Sequence, residues 1–161
     1  MAPRSLAVFD LDGTLADVRH RLRFLERRPR DWDGFFGASL EDPPLAEGVA
    51  LALRHAETSE IAYVTGRPER CRHSTLTWLR RHGLPSGRLL MRRAGDRRPA
   101  RVAKPELLRR LAAGRTVAVV VDDDLQVCAA YRRAGFHVVH AGWMAEARAV
   151  LEEAQEREGG T

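Results

Sequence analysis

Asparagine is absent from this 161-residue chain, isoleucine and lysine occur once each (Ile61 and Lys104), and cysteine occurs twice (Cys71 and Cys128). Both cysteines fall in helical patterns, which argues against a disulfide framework and fits a reducing, cytoplasmic setting. No apolar run approaches the ~20 residues of a membrane span, and the N-terminus has no apolar leader core, so a membrane protein is not expected. Internal repeats and long low-complexity linkers are also missing. What fills the space is Arg, Ala, Gly and Leu, a skew that coding bias in a GC-rich genome accounts for. That bias explains Arg in place of Lys. It does not explain a net charge of +5 and a pI near 10.2, an excess that attracts polyanions such as nucleic acid.

With 44% hydrophobic residues, residues 1–161 suit one globular domain with a core of its own. Strand and helix patterns alternate. Leu6-Ala7-Val8-Phe9 reads as a short buried strand ended by a turn at Gly13. Asp17 to Leu25 has apolar residues at helical spacing, and Arg27-Arg28-Pro29-Arg30 breaks that helix. Leu45 to Thr58 reads as an amphipathic helix leading to the strand Ile61-Ala62-Tyr63-Val64. A helix from Glu69 to His82 stops at Gly83. Leu89-Leu90-Met91 is a third strand, followed by a basic loop over 92–101 and a helix from about Lys104-Pro105, where proline suits a first turn. Thr116 to Val121 is a continuous β-branched run, expected where both sheet faces are covered. A helix to Ala134, a last strand Phe136 to Val139 and a terminal helix from Met144 to Glu156 complete the chain. The pattern implies an α/β fold with a parallel sheet and right-handed crossovers. Residues 16–44 form the only sizeable insertion, placed as a small cap over the end of the first strand.

Polar groups gather where the strands end. They are Asp10 and Asp12, Thr65 with Arg67, Lys104, and Asp122 with Asp123. Clustered carboxylates repel unless a hard cation lies between them, and an oxygen-only donor set suits Mg²⁺. Thr65 offers a hydroxyl and a neighbouring N–H, and Lys104 a compact positive charge, for holding a phosphoryl group. A lysine kept in a chain that otherwise uses arginine fits a need for a flexible point charge.

The spacing Asp10-x-Asp12-x-Thr14, Thr65 at a strand end, Lys104, and Asp122-Asp123 after a strand resembles the four motifs of the haloacid dehalogenase-like (HAD) phosphohydrolases, in order and over nearly the whole chain. The resemblance implies a three-layer Rossmannoid sandwich. It implies Asp10 as a nucleophile forming an aspartyl-phosphate, and Asp12 as the acid and base. It also implies Mg²⁺ held by Asp10, Asp123 and the Asp12 carbonyl, with Asp122 beside it; the run Asp122-Asp123-Asp124 leaves open which of them touches metal. A narrower likeness, to the 3′-phosphatase domain of phage-type polynucleotide kinases, rests on residues 10–21, on Asp31-Trp32-Asp33 with Phe35-Phe36, and on Met91-Arg92-Arg93-x-Gly95-Asp96-x-Arg98. It points to Thr14, Gly66, Arg67, Asp96 and Arg98 as substrate contacts, with His20 and Arg21 as further candidates. No Gly-x-x-x-x-Gly-Lys-Ser/Thr kinase motif occurs, so a separate kinase or ligase chain is the expected partner.

These readings imply removal of a 3′-phosphate from a DNA or RNA end. The alternatives are a nucleotide or small-metabolite phosphatase, and an idle nucleic-acid-binding or assembly subunit, which the intact Asp10/Asp12 pair disfavours. Two softer features stay open. Trp32, Phe35 and Phe36 either stack on bases or pack the insertion onto the sheet. The basic loop with Arg92, Arg93 and Arg97 either grips a polynucleotide backbone or is a solvated face. Trp143 borders the site in this reading.

Overall fold

In the computed structural model, every residue of Leu6–Phe9 is buried, and this segment is the central strand β1. The structure describes residues 2–144 and 148–158. Side chains alternate across a strand, so Ala7 and Phe9 enter one core while Leu6 and Val8 enter the other. Strands β2 (Glu60–Pro68), β3 (Leu89–Arg92), β4 (Val117–Asp122) and β5 (Val138–His140) complete a five-stranded sheet in the order β3-β2-β1-β4-β5. Every pairing is parallel, so all five carboxyl ends lie along one edge.

Residues 16–44 hold a turn of 3-10 helix at Arg19–Arg21, α1 (Arg23–Glu26) and α2 (Trp32–Gly37), followed by 3-10 residues Ser39–Glu41. Beyond them come α3 (Ala46–Ala56), α4 (Arg72–Arg81), α5 (Ala100–Ala112), α6 (Leu125–Arg133) and α7 (Arg148–Glu158). The core shared with β1 Ala7 and Phe9 takes Trp78 and Leu79 of α4, Phe35 and Phe36 of α2, and Leu151 of α7. The opposite core takes Leu107 and Leu108 of α5 and Val127 and Tyr131 of α6. Two helical layers thus cover one sheet, a three-layer α/β sandwich. Among the described residues, no helix is long and apolar enough to cross a membrane.

Several elements depart from the sequence reading. The continuous helix expected over Asp17 to Leu25 is split, because the Asp17 carboxylate accepts the Arg19 backbone N–H, a local bond that competes with helix initiation. The split also turns Arg21 wholly inward. Helix α5 starts at Ala100, after Pro99, rather than near Lys104, and Pro105 sits inside it. Proline lacks an N–H, so the Arg101 carbonyl loses its intrahelical donor. Strand β4 runs one residue later than expected and takes in Asp122, paired in register with His140 of β5. Strand β5 begins two residues later than expected and ends one later. The expected start of the terminal helix runs into 145–147, outside the described residues. Phe35 and Phe36 are buried and Trp32 is half-buried, so α2 packs the insertion onto the sheet.

Candidate active site

The Asp10 N–H donates to Val121 O at 2.9 Å, extending the β1–β4 ladder to the strand end. The chain then turns sharply: the N–H groups of Thr14, Leu15 and Ala16 all donate to Leu11 O. Gly13 has φ of 85°, a left-handed conformation that glycine adopts without strain. A Cβ there would also collide with the Asp123 carboxylate. The turn therefore brings Asp123 against the loop that carries Asp10 and Asp12.

The result is two buried ionic clusters side by side. In the first, Lys104 Nζ donates to Asp10 Oδ1 and to Asp122 Oδ2, both at 2.8 Å, and Thr14 Oγ1 donates to Asp10 Oδ2 at 2.9 Å. Asp10, Asp122 and Asp123 each present an oxygen within 4.8 Å of the others. In the second, Arg21 Nη2 and Arg67 Nη2 both donate to Asp12 Oδ1, at 2.8 and 2.5 Å. Arg21 also donates to both oxygens of Asp42, at 2.8 and 2.7 Å, and His20 Nε2 donates to Asp42 Oδ1 at 2.6 Å. The Arg21 guanidinium lies 4.2 Å from the Phe35 ring centroid, and Trp78 Nε1 donates to Asp42 O at 2.9 Å.

Formal charge separates the two. The second cluster holds two arginines and two aspartates and is balanced. The first holds three carboxylates and one ammonium, an excess of two negative charges in a buried place. Burial first, then the Asp122 charge, pushes Asp10 up to about 6 against the pull of Lys104. Burial, then Asp10 and Asp122, raises Asp123 well above the usual carboxylate range, and burial also raises Asp122. Burial works against the Lys104 ammonium, but Asp10 and Asp122 outweigh it and hold Lys104 well above its ordinary value. Asp123 Oδ1 is buried without a hydrogen-bond partner, which is uncommon in folded proteins. An orphaned oxygen beside two more carboxylates, with a surplus charge of two, fits a divalent cation with oxygen ligands.

Each residue singled out from sequence can now be located. Asp10, Lys104, Asp122 and Asp123 meet in the first cluster, with Thr14 on Asp10. Asp124 instead caps α6, accepting from the N–H groups of Gln126 and Val127. The Asp12 carboxylate lies with Arg21 and Arg67, outside the three-carboxylate group. Thr65 is buried and its hydroxyl accepts the Arg67 N–H at 3.1 Å. The Gly66 carbonyl accepts from Arg92 Nε at 3.2 Å. Asp96 and Arg98 pair with each other, and Arg98 reaches Glu106 at 2.6 Å, away from both clusters. Trp143 Nε1 donates to Thr14 O at 2.9 Å. Sequence reasoning missed Asp42, whose only local signal is its place before Pro43-Pro44. It also marked Arg21 as a substrate contact rather than as a partner of Asp12.

Comparison with known proteins bears on the fold and the family. Curated relatives are membrane-associated phosphatidylinositol transfer protein 1 from Rattus norvegicus, and likewise from Mus musculus and Homo sapiens. Each is 39% identical over 61 residues, covering 34% of this chain and 5% of the relative. Among solved structures, a chain of the Pnkp1/Rnl/Hen1 RNA repair complex superposes with a TM-score of 0.73 at 21% identity, over 85% of this chain and 42% of that one. A haloacid dehalogenase-like hydrolase from Streptococcus pneumoniae superposes with a TM-score of 0.66 at 12% identity, over 97% of this chain and 93% of that one. These structural likenesses bear on the fold, which is the HAD-like sandwich. The model of the polynucleotide kinase PNKP phosphatase domain matches residues 4–142, and the chain accordingly belongs to that family of HAD phosphatases.

Proposed function

We propose that this protein is a Mg²⁺-dependent phosphomonoesterase that removes the 3′-phosphate from polynucleotide ends through an aspartyl-phosphate at Asp10. The observation that carries the reading is the setting of Asp10. One of its oxygens is held by Lys104 and the other by Thr14, within ligand distance of Asp122 and Asp123. The carboxylate is fixed and charge-supported, as covalent catalysis by aspartate requires.

In the proposed reaction an Asp10 oxygen forms a bond to phosphorus while the bond to the 3′ oxygen breaks. Asp12, released from Arg21 and Arg67 by the arriving phosphate and protonated from solvent, gives that proton to the leaving oxygen. Water then attacks the same phosphorus, Asp12 takes the proton, the Asp10 oxygen is released, and inorganic phosphate departs. Asp10, Asp122 and Asp123, with the Asp12 carbonyl, are the residues that would hold Mg²⁺. When bound, the ion supplies positive charge to a phosphoryl group in transfer. Lys104 and the Thr65 hydroxyl hold charge and orientation on the same side. An arriving phosphate dianion competes for the Arg21 and Arg67 guanidinium groups, and that competition frees Asp12 to exchange its proton. Residues 16–44 act as a small cap, because Arg21 and Asp42 both belong to them and both reach the Asp12 cluster. Gly66, near the end of β2, holds Arg92 through its carbonyl, while Asp96 and Arg98 pair with each other in the loop after β3 and touch neither cluster.

Family membership supports the phosphatase, and the basic surface supports a polymeric substrate. The test is a comparison of rates with Mg²⁺ on a 3′-phosphorylated oligonucleotide, the same oligonucleotide phosphorylated at its 5′ end, and an aryl phosphate. The 3′-phosphorylated oligonucleotide should lead by tenfold or more in kcat/KM. Equal or reversed rates would remove the polynucleotide claim and favour a metabolite phosphatase.

A further inference from the structure

A cavity of about 400 Å³ opens beside the buried clusters, between α2 of the insertion and the loop that follows β3. That size is in the range of small-ligand sites and takes one nucleotide rather than a duplex. It shares a wall with the active site. Pro68 lines it, one residue past Arg67, and Arg92 lines it while donating to Gly66 O.

The cavity has four acidic side chains, and each is already engaged. Asp33 pairs with Arg70, Asp31 with Arg27, Asp96 with Arg98, and Glu158 with Arg30. Two arginines of the β3–α5 loop are different. Among the described residues, Arg93 and Arg97 have no side-chain partner. Arg92, the last residue of β3, is 3% exposed, is locked on Gly66 O, Asp96 O and Arg98 O and lies 3.6 Å from Asp96 Oδ1, yet its Nη2 is left without a partner. Arg30 Nε is a second buried donor with none. Buried donors are nearly always satisfied, so two orphans in the walls of one cavity leave hydrogen-bonding capacity unmet there. A guanidinium fixed in advance suits a phosphodiester well, since little rotamer freedom remains to be lost. The carboxylate of Glu158, 2.9 Å from Arg30 Nη1, shows that an anion is already accommodated there. Trp32 supplies an aromatic wall on the facing side.

We infer that this cavity is the subsite for the strand just upstream of the phosphorylated end, with Arg92, Arg93 and Arg97 on its phosphodiesters and Trp32 against a base. The inference rests on the polynucleotide reading of the active site but goes beyond it, by naming where an unreactive part of the strand is held. Phosphate contacts position a strand without reading its sequence, and base–aromatic stacking is sequence-tolerant. The subsite is therefore indifferent to sequence and selects single-stranded ends over mononucleotides.

Binding separates this inference from the reaction. The probe is a fluorescent single-stranded oligonucleotide with no terminal phosphate, titrated by anisotropy against the full chain across a series of salt concentrations. Arg93→Ala/Arg97→Ala should weaken binding at least tenfold at low salt. It should also flatten the slope of log K against log salt by about 1.4, at roughly 0.7 per phosphate contact on a single strand. Arg132→Ala/Arg133→Ala, an equal loss of charge on the exposed end of α6, should leave both quantities unchanged. Binding should quench tryptophan emission, and Trp32→Phe should remove the quench.

Failure of the parent protein to bind would overturn the inference. So would unchanged binding in the loop variant, or an equal loss in the α6 variant, which would reduce the effect to net charge. A quench that survives Trp32→Phe would overturn the role of the aromatic wall. Preference for an aryl phosphate over a 3′-phosphorylated oligonucleotide, with oligonucleotide binding intact, would sink the proposed reaction and leave the subsite standing.

Discussion

Lys104 is the single cation among three buried carboxylates, and its removal should be costly in a particular way. Lys104→Ala leaves Asp10 and Asp122 without their shared partner, and a buried charge stripped of its partner typically costs about 3–5 kcal/mol. Urea denaturation of the metal-free protein should show a loss of that order, and a loss under about 1 kcal/mol would mean that Lys104 is not the counter-charge. Asp123→Asn should behave in the opposite sense. It removes one member of a crowded acidic group whose Oδ1 has no partner, so the metal-free variant should melt no lower than the parent. What it should lose is the response to Mg²⁺. A ligand bound only by the folded state stabilises it by about 2.7 kcal/mol at a hundredfold excess over Kd. The parent should gain stability on this scale, and the variant little. An equal gain in both would exclude Asp123 from the ion.

Gly48, in the first turn of α3, shows how one element sets another. A Cβ at this position would collide with the Thr14 carbonyl oxygen, the same oxygen that accepts from Trp143 Nε1. Helix propensity alone favours Gly48→Ala by about 0.5–1 kcal/mol. The collision is with backbone rather than with a flexible side chain, so overpacking, typically about 1–3 kcal/mol, should win. The variant is expected to melt below the parent and to lose at least tenfold in kcat, since displacing Thr14 disturbs its bond to Asp10. A stabilised, fully active variant would contradict this. Elements were legible in the sequence where one signal dominated. The β-branched run before Asp122 gave a strand, and Gly135 a helix stop. Legibility failed where signals competed. Pro105 reads as a first turn, yet Pro99 occupies the position that starts the helix. Asp17, Leu22 and Leu25 read as one helix, yet the Asp17 side chain captures the Arg19 N–H.

At the scale of the whole molecule, a parallel sheet puts every strand's carboxyl end on one edge, and ligands bind at that edge in α/β sheets. This is why the first cluster could be read from sequence. Asp10 and Asp122 each follow an apolar run, and topology does the rest. The second cluster could not be read in the same way. Asp42 approaches Asp12 only because the insertion folds back and Trp78 of α4 holds its carbonyl, a contact 36 residues apart in sequence. Charge balance was equally hidden, since it depends on which arginine reaches which aspartate. In the proposed reaction the division of labour follows from that balance: the neutral cluster would position Asp12, and the cluster with surplus negative charge would hold the cation and carry the nucleophile. The claim on which all of this depends is that Asp10 takes the phosphoryl group. Turnover of a 3′-phosphorylated oligonucleotide with Mg²⁺, stopped in acid and followed by peptide mass spectrometry, tests it directly. The expected result is a phosphoryl adduct on Asp10, absent from an inactive Asp10→Asn variant. Turnover persisting in Asp10→Asn, or an adduct on another residue, would contradict it.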